Sequence, residues 1–156
     1  MAHIHNYRAT LEWIGASAGP TTSYQAYSRE YRVDLPGKAS FRGSADPTFR
    51  GDPALPNPED LLVVALSSCH MLTYLALCAR VKLPVISYID EATGTMDMKD
   101  GKLRFIEVVL HPRVVIAAGA DLDQARRLHE KAHGECFIAN SVNFPVRNEP
   151  TVTTTA

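Results

Sequence analysis

Residues 57–79 read NPEDLLVVALSSCHMLTYLALCA, and this stretch decides how the chain folds. Its first residues are typical of a helix start. Asn57 can cap the helix, Pro58 suits the first helical position, and Glu59 places a carboxylate where the helix dipole favours negative charge. We therefore expect a long helix that runs to about Val81.

The predicted helix is apolar on nearly every face, which is unusual in a chain of 156 residues. Such a helix is buried all round, and in a small domain that usually requires a partner subunit to cover its second face. We therefore expect a homodimer with a large apolar interface.

Residues 61–79 also have about the length of a membrane span. The polar residues 67–70, SSCH, lie in the middle of this run, where unsatisfied polar groups would cost most in a bilayer. We therefore expect a helix inside a soluble protein and no membrane partner.

Composition narrows the class of protein further. The chain has 16 Lys and Arg against 17 Asp and Glu, a net charge of −1, and no basic cluster longer than Arg126-Arg127, so no nucleic-acid partner is expected. The start MAHIHNYRATLEW lacks the pattern of a signal peptide, and three cysteines are too few for a secreted disulfide framework. We expect one domain, residues 1–156, in a reducing cytoplasm.

The segments around the long helix predict an α+β fold. Residues 4–13 and 27–35 alternate as a hairpin, 39–44 adds a third strand, and 46–58, with four prolines, is a loop.

The second half of the chain predicts strands and one more helix. Residues 85–98 and 102–116 are two long strands around Asp100-Gly101, which is a signal for a tight hairpin. Asp121 or Asp123 caps a helix over 124–133 that Gly134 ends, and the tail, 142–155, has the residues of one more strand.

Two cysteines lie in unlike settings. Cys69 is inside the apolar run, whereas Cys136 is in the polar-flanked segment AHGECFIANSVN, residues 132–143. A thiol acts as a nucleophile only as the thiolate, and a second thiol can rescue the oxidised first one, so the pair suggests redox chemistry. We interpret Cys78 as a core thiol, because cysteine is among the most buried residue types.

The segment 57–79, with Glu59 ten positions before Cys69, and the segment 132–143 together resemble the two cysteine motifs of the OsmC/Ohr family of thiol-dependent peroxidases. The order and separation of the motifs agree with that family. Where Ohr proteins carry a glycine-flanked arginine, this chain has YSREYR, residues 27–32, and its loop GSADPTFRGDP, 43–53, also differs from typical Ohr. The chain is therefore similar to an OsmC-like branch of the family.

The resemblance implies an intertwined homodimer in which antiparallel sheets wrap around central helices. It also implies reduction of hydroperoxides, organic ones before hydrogen peroxide, without haem, flavin or metal. Cys69 matches the peroxidatic cysteine, Cys136 the resolving cysteine, and Glu59 the carboxylate that holds an arginine. The disulfide that forms is reopened in the family by an external dithiol, which in several members is a lipoyl-bearing protein.

Arg29 is our choice for the activating arginine, with Arg32 and Arg50 as alternatives. A guanidinium stays charged at any physiological pH, lowers the pKa of a thiol and can polarise the departing peroxide oxygen. Were Glu59 and Cys69 on one straight helix, about 15 Å of rise would separate them. Either the helix breaks near residues 67–68, or the arginine and its carboxylate approach the thiol from another subunit or a folded-back loop.

Other interpretations of the same residues are open. Glu59 could serve only as a helix-start carboxylate, and Arg29 could be a solvated strand charge. His129 and His133 are spaced as neighbours on one helix face, and with Cys136 and Cys69-His70 they could form a transition-metal site. A catalytically silent stress-response scaffold of the same fold is the third interpretation.

Overall fold

A computed structural model describes residues 4–155, and its elements confirm the predicted α+β class. Residues 1–3, at the start of the N-terminal segment discussed above, and residue 156 lie outside the described part of the chain. The chain divides into two compact units, one up to Leu61 and one from Leu62 onward. The expectation of a single domain over residues 1–156 stays a prediction.

The first unit contains a three-stranded antiparallel sheet in the order β1-β2-β3. The predicted hairpin is present, but its strands are shorter than expected because the Gly- and Pro-rich connections form irregular structure and two short 3₁₀ turns, Ile14–Ala18 and Pro47–Phe49. The strands are β1 (Thr10–Glu12), β2 (Tyr31–Asp34) and β3 (Phe41–Gly43).

The long helix, α1, runs without interruption over Pro58–Arg80. Its start is a reciprocal cap, in which Asp60 N donates to Asn57 Oδ1 at 2.8 Å and Asn57 N donates to Asp60 Oδ2 at 3.1 Å. The alternative of a helix break near residues 67–68 is therefore wrong. Ser68 Oγ donates to the Ala65 carbonyl within the helix, so this serine does not compete for the backbone in a way that ends it.

By length and composition, α1 is long and apolar enough to cross a membrane, a test that core helices of soluble proteins also pass. One side of the helix packs in the core through Leu66, Tyr74 and Leu77, whereas Val64 and Leu72 are 58% and 63% exposed. The expected burial on all faces is thus not met within one chain.

The second unit contains two three-stranded sheets, in the orders β4-β7-β9 and β5-β6-β8. The two predicted long strands are each divided, because the chain leaves one sheet for the other at residues 91–92 and at residue 111. Asp100 and Gly101 both have positive φ, as the tight hairpin turn requires, and the tail forms two strands rather than one. The strands are β4 (Val85–Asp90), β5 (Thr93–Lys99), β6 (Lys102–Leu110), β7 (Pro112–Ile116), β8 (Val146–Asn148) and β9 (Thr151–Thr154).

The second helix, α2, runs over Leu122–Glu135. Its cap is Asp121, whose Oδ1 accepts from Gln124 N at 2.9 Å. Gly134 was expected to end the helix, but the helix continues through it and ends one residue later. The physical reason is that Gly134 keeps a negative φ, so no left-handed stop forms there, and Cys136 becomes the C-cap in an extended conformation.

The main core of the second unit lies between α1, α2 and the sheet β4-β7-β9. Its buried side chains come from both helices and from two strands, so α2 is held firmly against α1. The members are Tyr74, Leu77, Cys78, Leu83, Val114, Ile116, Ala125, Leu128, Ala132 and Val152.

Candidate active site

The fold brings the two predicted redox cysteines together. Cys69, in the middle of α1, and Cys136, just after α2, lie close enough for the Cys69 side chain to raise the pKa of the Cys136 thiol, and both are free thiols. Cys69 is half-buried, whereas the Cys136 residue is only 1% exposed. A partly accessible thiol thus has a sheltered second thiol directly beside it.

The surroundings of Cys136 keep its thiol protonated, so that it can donate a hydrogen bond. Burial and the neighbouring Cys69 thiol raise the pKa of the Cys136 thiol to about 11, although backbone N–H groups of Ala139 and Ile138 act in the opposite direction. Cys136 therefore stays protonated at neutral pH, with its S–H available to the sulfur of Cys69. Those two N–H groups belong to the tight turn that follows α2.

Cys78 differs from both. It is 1% exposed in the core, and burial raises the pKa of its thiol, while the nearby Tyr74 side chain acts in the opposite direction. On the unbroken helix α1, Cys78 lies nine residues from Cys69, about 13 Å of rise, too far for a disulfide. Its environment agrees with the interpretation as a core thiol.

Arg29 and Glu59 both line a cavity of about 440 Å³ in the first unit. The Arg29 guanidinium donates to the carbonyls of Tyr24 and Tyr27 and lies 3.8 Å from the centre of the Tyr27 ring. Among residues 4–155, no ion pair joins it to Glu59 or to any other carboxylate. Because neutral carbonyls hold the guanidinium without cancelling its charge, the cavity presents a cation to an incoming anion.

The Glu59 carboxylate lies close to the Tyr31 hydroxyl. Burial raises the pKa of Tyr31, and the carboxylates of Glu59 and Asp60 raise it further, so Tyr31 remains a neutral hydrogen-bond donor on the cavity wall. Since a Cβ at Gly43 would overlap the Tyr31 ring, glycine is required there for the ring to keep this position.

The alternative arginines have other surroundings. Arg32 pairs with Glu12 at 2.8 Å and with Asp34 at 2.9 Å, so two carboxylates already neutralise its charge. Arg50 is exposed and adopts a left-handed conformation with φ 67°, where it ends a short 3₁₀ turn. Of the three arginines, Arg29 is the one that lines the cavity with Glu59.

The site residues thus fall into two groups. The thiols lie together in the second unit, and Arg29 lies with Glu59 in the first. Because α1 is continuous, Glu59 and Cys69 are about 15 Å apart along its axis, too far to share one arginine directly.

The metal-site alternative finds no ligand set in residues 4–155, where no three His, Cys, Asp or Glu side chains are placed to hold one ion. His129 does not join His133 and Cys136. Instead its Nδ1 shares a hydrogen bond with His70 Nε2 at 3.1 Å. The reason is that His129 lies on the face of α2 that packs into the core.

Sequence reasoning missed two features near the thiols. One is the buried His70–His129 pair. The sequence shows only that His70 is adjacent to Cys69, and it gives no sign of the contact with His129. The other is Asp90, which accepts from Ser67 Oγ at 2.5 Å and from His111 N at 2.7 Å and so ties α1 to the ends of β4 and β7. Both are long-range contacts without a local sequence signal.

Comparisons with known proteins agree with this arrangement. The profile of the OsmC-like protein family matches residues 51–151. An OsmC-like protein of unknown function from Vibrio cholerae is 34% identical and has a TM-score of 0.87, with 95% of this chain and all of that chain covered.

More distant relatives extend the comparison. An organic hydroperoxide resistance protein from Elizabethkingia anophelis shares the fold with a TM-score of 0.71 at 20% identity, over 99% of this chain and 100% of its own. The uncharacterized protein YmaD of Bacillus subtilis is 26% identical over 89 residues, which are 55% of this chain. That match spans 59% of the length of the curated relative.

Proposed function

The chain belongs to the family of OsmC-like proteins, and from this membership we propose that it is a cysteine-based peroxidase that reduces organic hydroperoxides and, less efficiently, hydrogen peroxide. The observation that carries the proposal is the proximity of a half-buried Cys69 to a buried, protonated Cys136. A thiol pair in this arrangement can complete one redox cycle without a bound cofactor.

The cycle begins at Cys69. Its thiolate attacks the outer oxygen of the hydroperoxide, the O–O bond breaks, and the alkoxide leaves as an alcohol after taking up a proton. Cys69 is now a sulfenic acid, oxidised by two electrons. Cys136 then attacks the Cys69 sulfur, the S–S bond forms, and the hydroxyl group leaves as water with the Cys136 proton.

An external dithiol closes the cycle. It reduces the Cys69–Cys136 disulfide by thiol–disulfide exchange and leaves as its own disulfide, and a lipoyl-bearing protein is the reductant that we propose. A reducing cytoplasm is the compartment that we propose, since it would keep such a dithiol supplied.

Arg29 and Glu59 have a place in the proposal as the activating pair. The Arg29 guanidinium in the first-unit cavity would stabilise the Cys69 thiolate and the departing oxygen. Because α1 separates Glu59 from Cys69 by about 15 Å, we propose that the pair of one subunit serves the Cys69 of its partner in a homodimer.

The test is a steady-state comparison of cumene hydroperoxide and hydrogen peroxide, with dihydrolipoamide and thioredoxin as alternative reductants. The expected result is turnover with both peroxides, faster with cumene hydroperoxide, and support by dihydrolipoamide. Cys69→Ser should abolish turnover, while Cys136→Ser should consume one equivalent and stop as a sulfenic or overoxidised acid.

Cys78→Ser is the matched control and should retain turnover. A disulfide between Cys69 and Cys78 in mass spectrometry would contradict the assignment of the resolving thiol. If the wild-type protein consumes no peroxide with either reductant, the peroxidase proposal is wrong and the interpretation as a catalytically silent scaffold takes its place.

A further inference from the structure

The second unit contains a buried polar pair that the proposed chemistry does not use. His70 on α1 and His129 on α2 are both 0% exposed and share a hydrogen bond of 3.1 Å. One turn further along α1, the Tyr74 ring stacks on His129 with 3.7 Å between ring centres and 14° between planes. His129 is therefore held by two residues of α1.

Stability does not explain the choice of histidine here. The second nitrogen of each ring, His70 Nδ1 and His129 Nε2, is buried and finds no hydrogen-bond partner among residues 4–155. A buried polar group without a partner destabilises the folded state, and two apolar side chains of similar shape in its place can be neutral or better. A hydrogen bond adds what apolar packing lacks, namely a fixed direction and distance between two helices.

The position of the pair links it to the thiols. Cys69 and His70 are adjacent on α1. His129 lies within α2, and Cys136 directly follows the end of that helix, seven residues later. Seven residues correspond to about 10 Å along the helix axis. The imidazole contact is thus one of the contacts between α1 and α2, and a change in the orientation of α2 around it would displace the thiol that follows the helix.

The distance between Cys136 and Cys69 therefore depends on the orientation of α2 at the His70–His129 contact. A rotation of α2 by about 10° around His129 would move Cys136 by about 2 Å, given the 10 Å arm. A disulfide has an S–S bond of about 2 Å and a narrow range of Cβ separations, so a displacement of that size would impair its formation.

We propose that His70 and His129 are a positioning pair that holds α2 in the orientation in which Cys136 meets Cys69. The inference deepens the proposed function, since the disulfide that the pair favours is the resolving step of that cycle. Among residues 4–155, no hydrogen bond joins either imidazole to the sulfur of Cys69 or Cys136.

The experiment measures the equilibrium constant of the Cys69–Cys136 disulfide against glutathione redox buffers, using the full chain. This readout needs no peroxidase activity. The double variant His70→Leu/His129→Leu should lower the constant at least tenfold, while its thermal midpoint stays equal to or above that of the wild type. An unchanged equilibrium constant would overturn the proposal. A decrease in the constant that is matched by an equivalent decrease in thermal stability would overturn it as well.

Two single variants decide the question if the double variant fails to fold. His129→Asn keeps a polar atom at the position of Nδ1, which makes the hydrogen bond, whereas His129→Gln moves that atom to the position of Nε2. We expect a constant within threefold of wild type for the Asn variant and a tenfold loss for the Gln variant. Equal behaviour of the two would contradict a positioning hydrogen bond.

A parallel peroxide assay separates this inference from the proposed function. Wild-type protein that forms the disulfide with glutathione but consumes no peroxide would refute the peroxidase proposal and leave the result on the histidine pair intact. In protein that does consume peroxide, the double variant should accumulate overoxidised Cys69, because resolution is slowed.

Discussion

The two thiols of the site differ in accessibility, and burial raises the pKa of the less accessible one. Cys136 is buried with a pKa of about 11, whereas Cys69 is half-buried. A thiol two units above its ordinary pKa has about a hundredfold less thiolate at neutral pH. We predict that iodoacetamide at pH 7.5 alkylates Cys69 at least tenfold faster than Cys136, as mass spectrometry of the reduced protein would measure.

Cys78 serves as the internal control for that measurement. It is buried with a raised thiol pKa, so it should react as slowly as Cys136 in the native protein. All three thiols should react at similar rates in urea. Preferential labelling of Cys136 in the native protein would contradict the assigned roles.

The buried histidine pair predicts sensitivity to acid. Burial and, to a smaller extent, the positive charges of neighbouring histidines lower the pKa of His70 to about 4 and that of His129 to about 3, while the Asp90 carboxylate acts in the opposite direction on His70. The unfolded chain binds protons at both residues below about pH 6.5, whereas the folded chain does not until these lower values. Stability is therefore fully present above about pH 6.5 and is lost as the pH falls toward 4 and 3.

Urea unfolding between pH 7.5 and 4.5 measures this loss. Each histidine contributes up to about 1.4 kcal/mol per pH unit to the fall in the free energy of unfolding. Carboxylates also titrate in the lower part of the range, so the variant His70→Leu/His129→Leu is the control. Its free energy should fall less steeply between pH 6.5 and 5, and an identical slope would show that the pair is not the cause.

At the scale of elements, the start of α1 is stabilised by the reciprocal cap of Asn57 and Asp60. Asn57→Ala removes the side-chain acceptor for the Asp60 N–H and should destabilise the protein by about 1 kcal/mol. Thermal unfolding measures the change. Asn57→Asp keeps an acceptor at the same position and should remain near the wild type, so an equal loss in both variants would argue against the cap.

At the scale of the whole molecule, the exposed apolar residues of α1 predict a homodimer. Val64 and Leu72 are more than half exposed on an otherwise apolar helix, and in water such side chains favour a contact with a second copy. Sedimentation at micromolar concentration should give twice the chain mass of 17.1 kDa. Val64→Glu/Leu72→Glu should shift the protein toward the monomer.

Circular dichroism of that double variant shows whether it is still folded, and a folded monomer is the expected state. If our proposal that the activating arginine comes from the partner is right, this monomer should also lose peroxide turnover. A wild-type chain that sediments as a stable monomer would contradict both expectations.

Local sequence signals determined much of the secondary structure and the candidate thiols. The cap at Asn57, the Asp100-Gly101 turn and the Asp121 cap act through neighbouring backbone groups, so each could be predicted from a few adjacent residues. The two cysteine motifs indicated the resemblance to the family, and that resemblance implied that Cys69 and Cys136 form a pair.

Tertiary structure decided what depends on residues far apart in the chain. Only the packing of α2 on α1 reveals that His129 pairs with His70 rather than with His133 and Cys136, and that Asp90 accepts from Ser67. The division of each predicted long strand between two sheets likewise depends on residues far apart in the chain. Such contacts are selected by burial and by hydrogen-bond partners that the fold brings together, and these leave no periodic pattern in a local stretch of sequence.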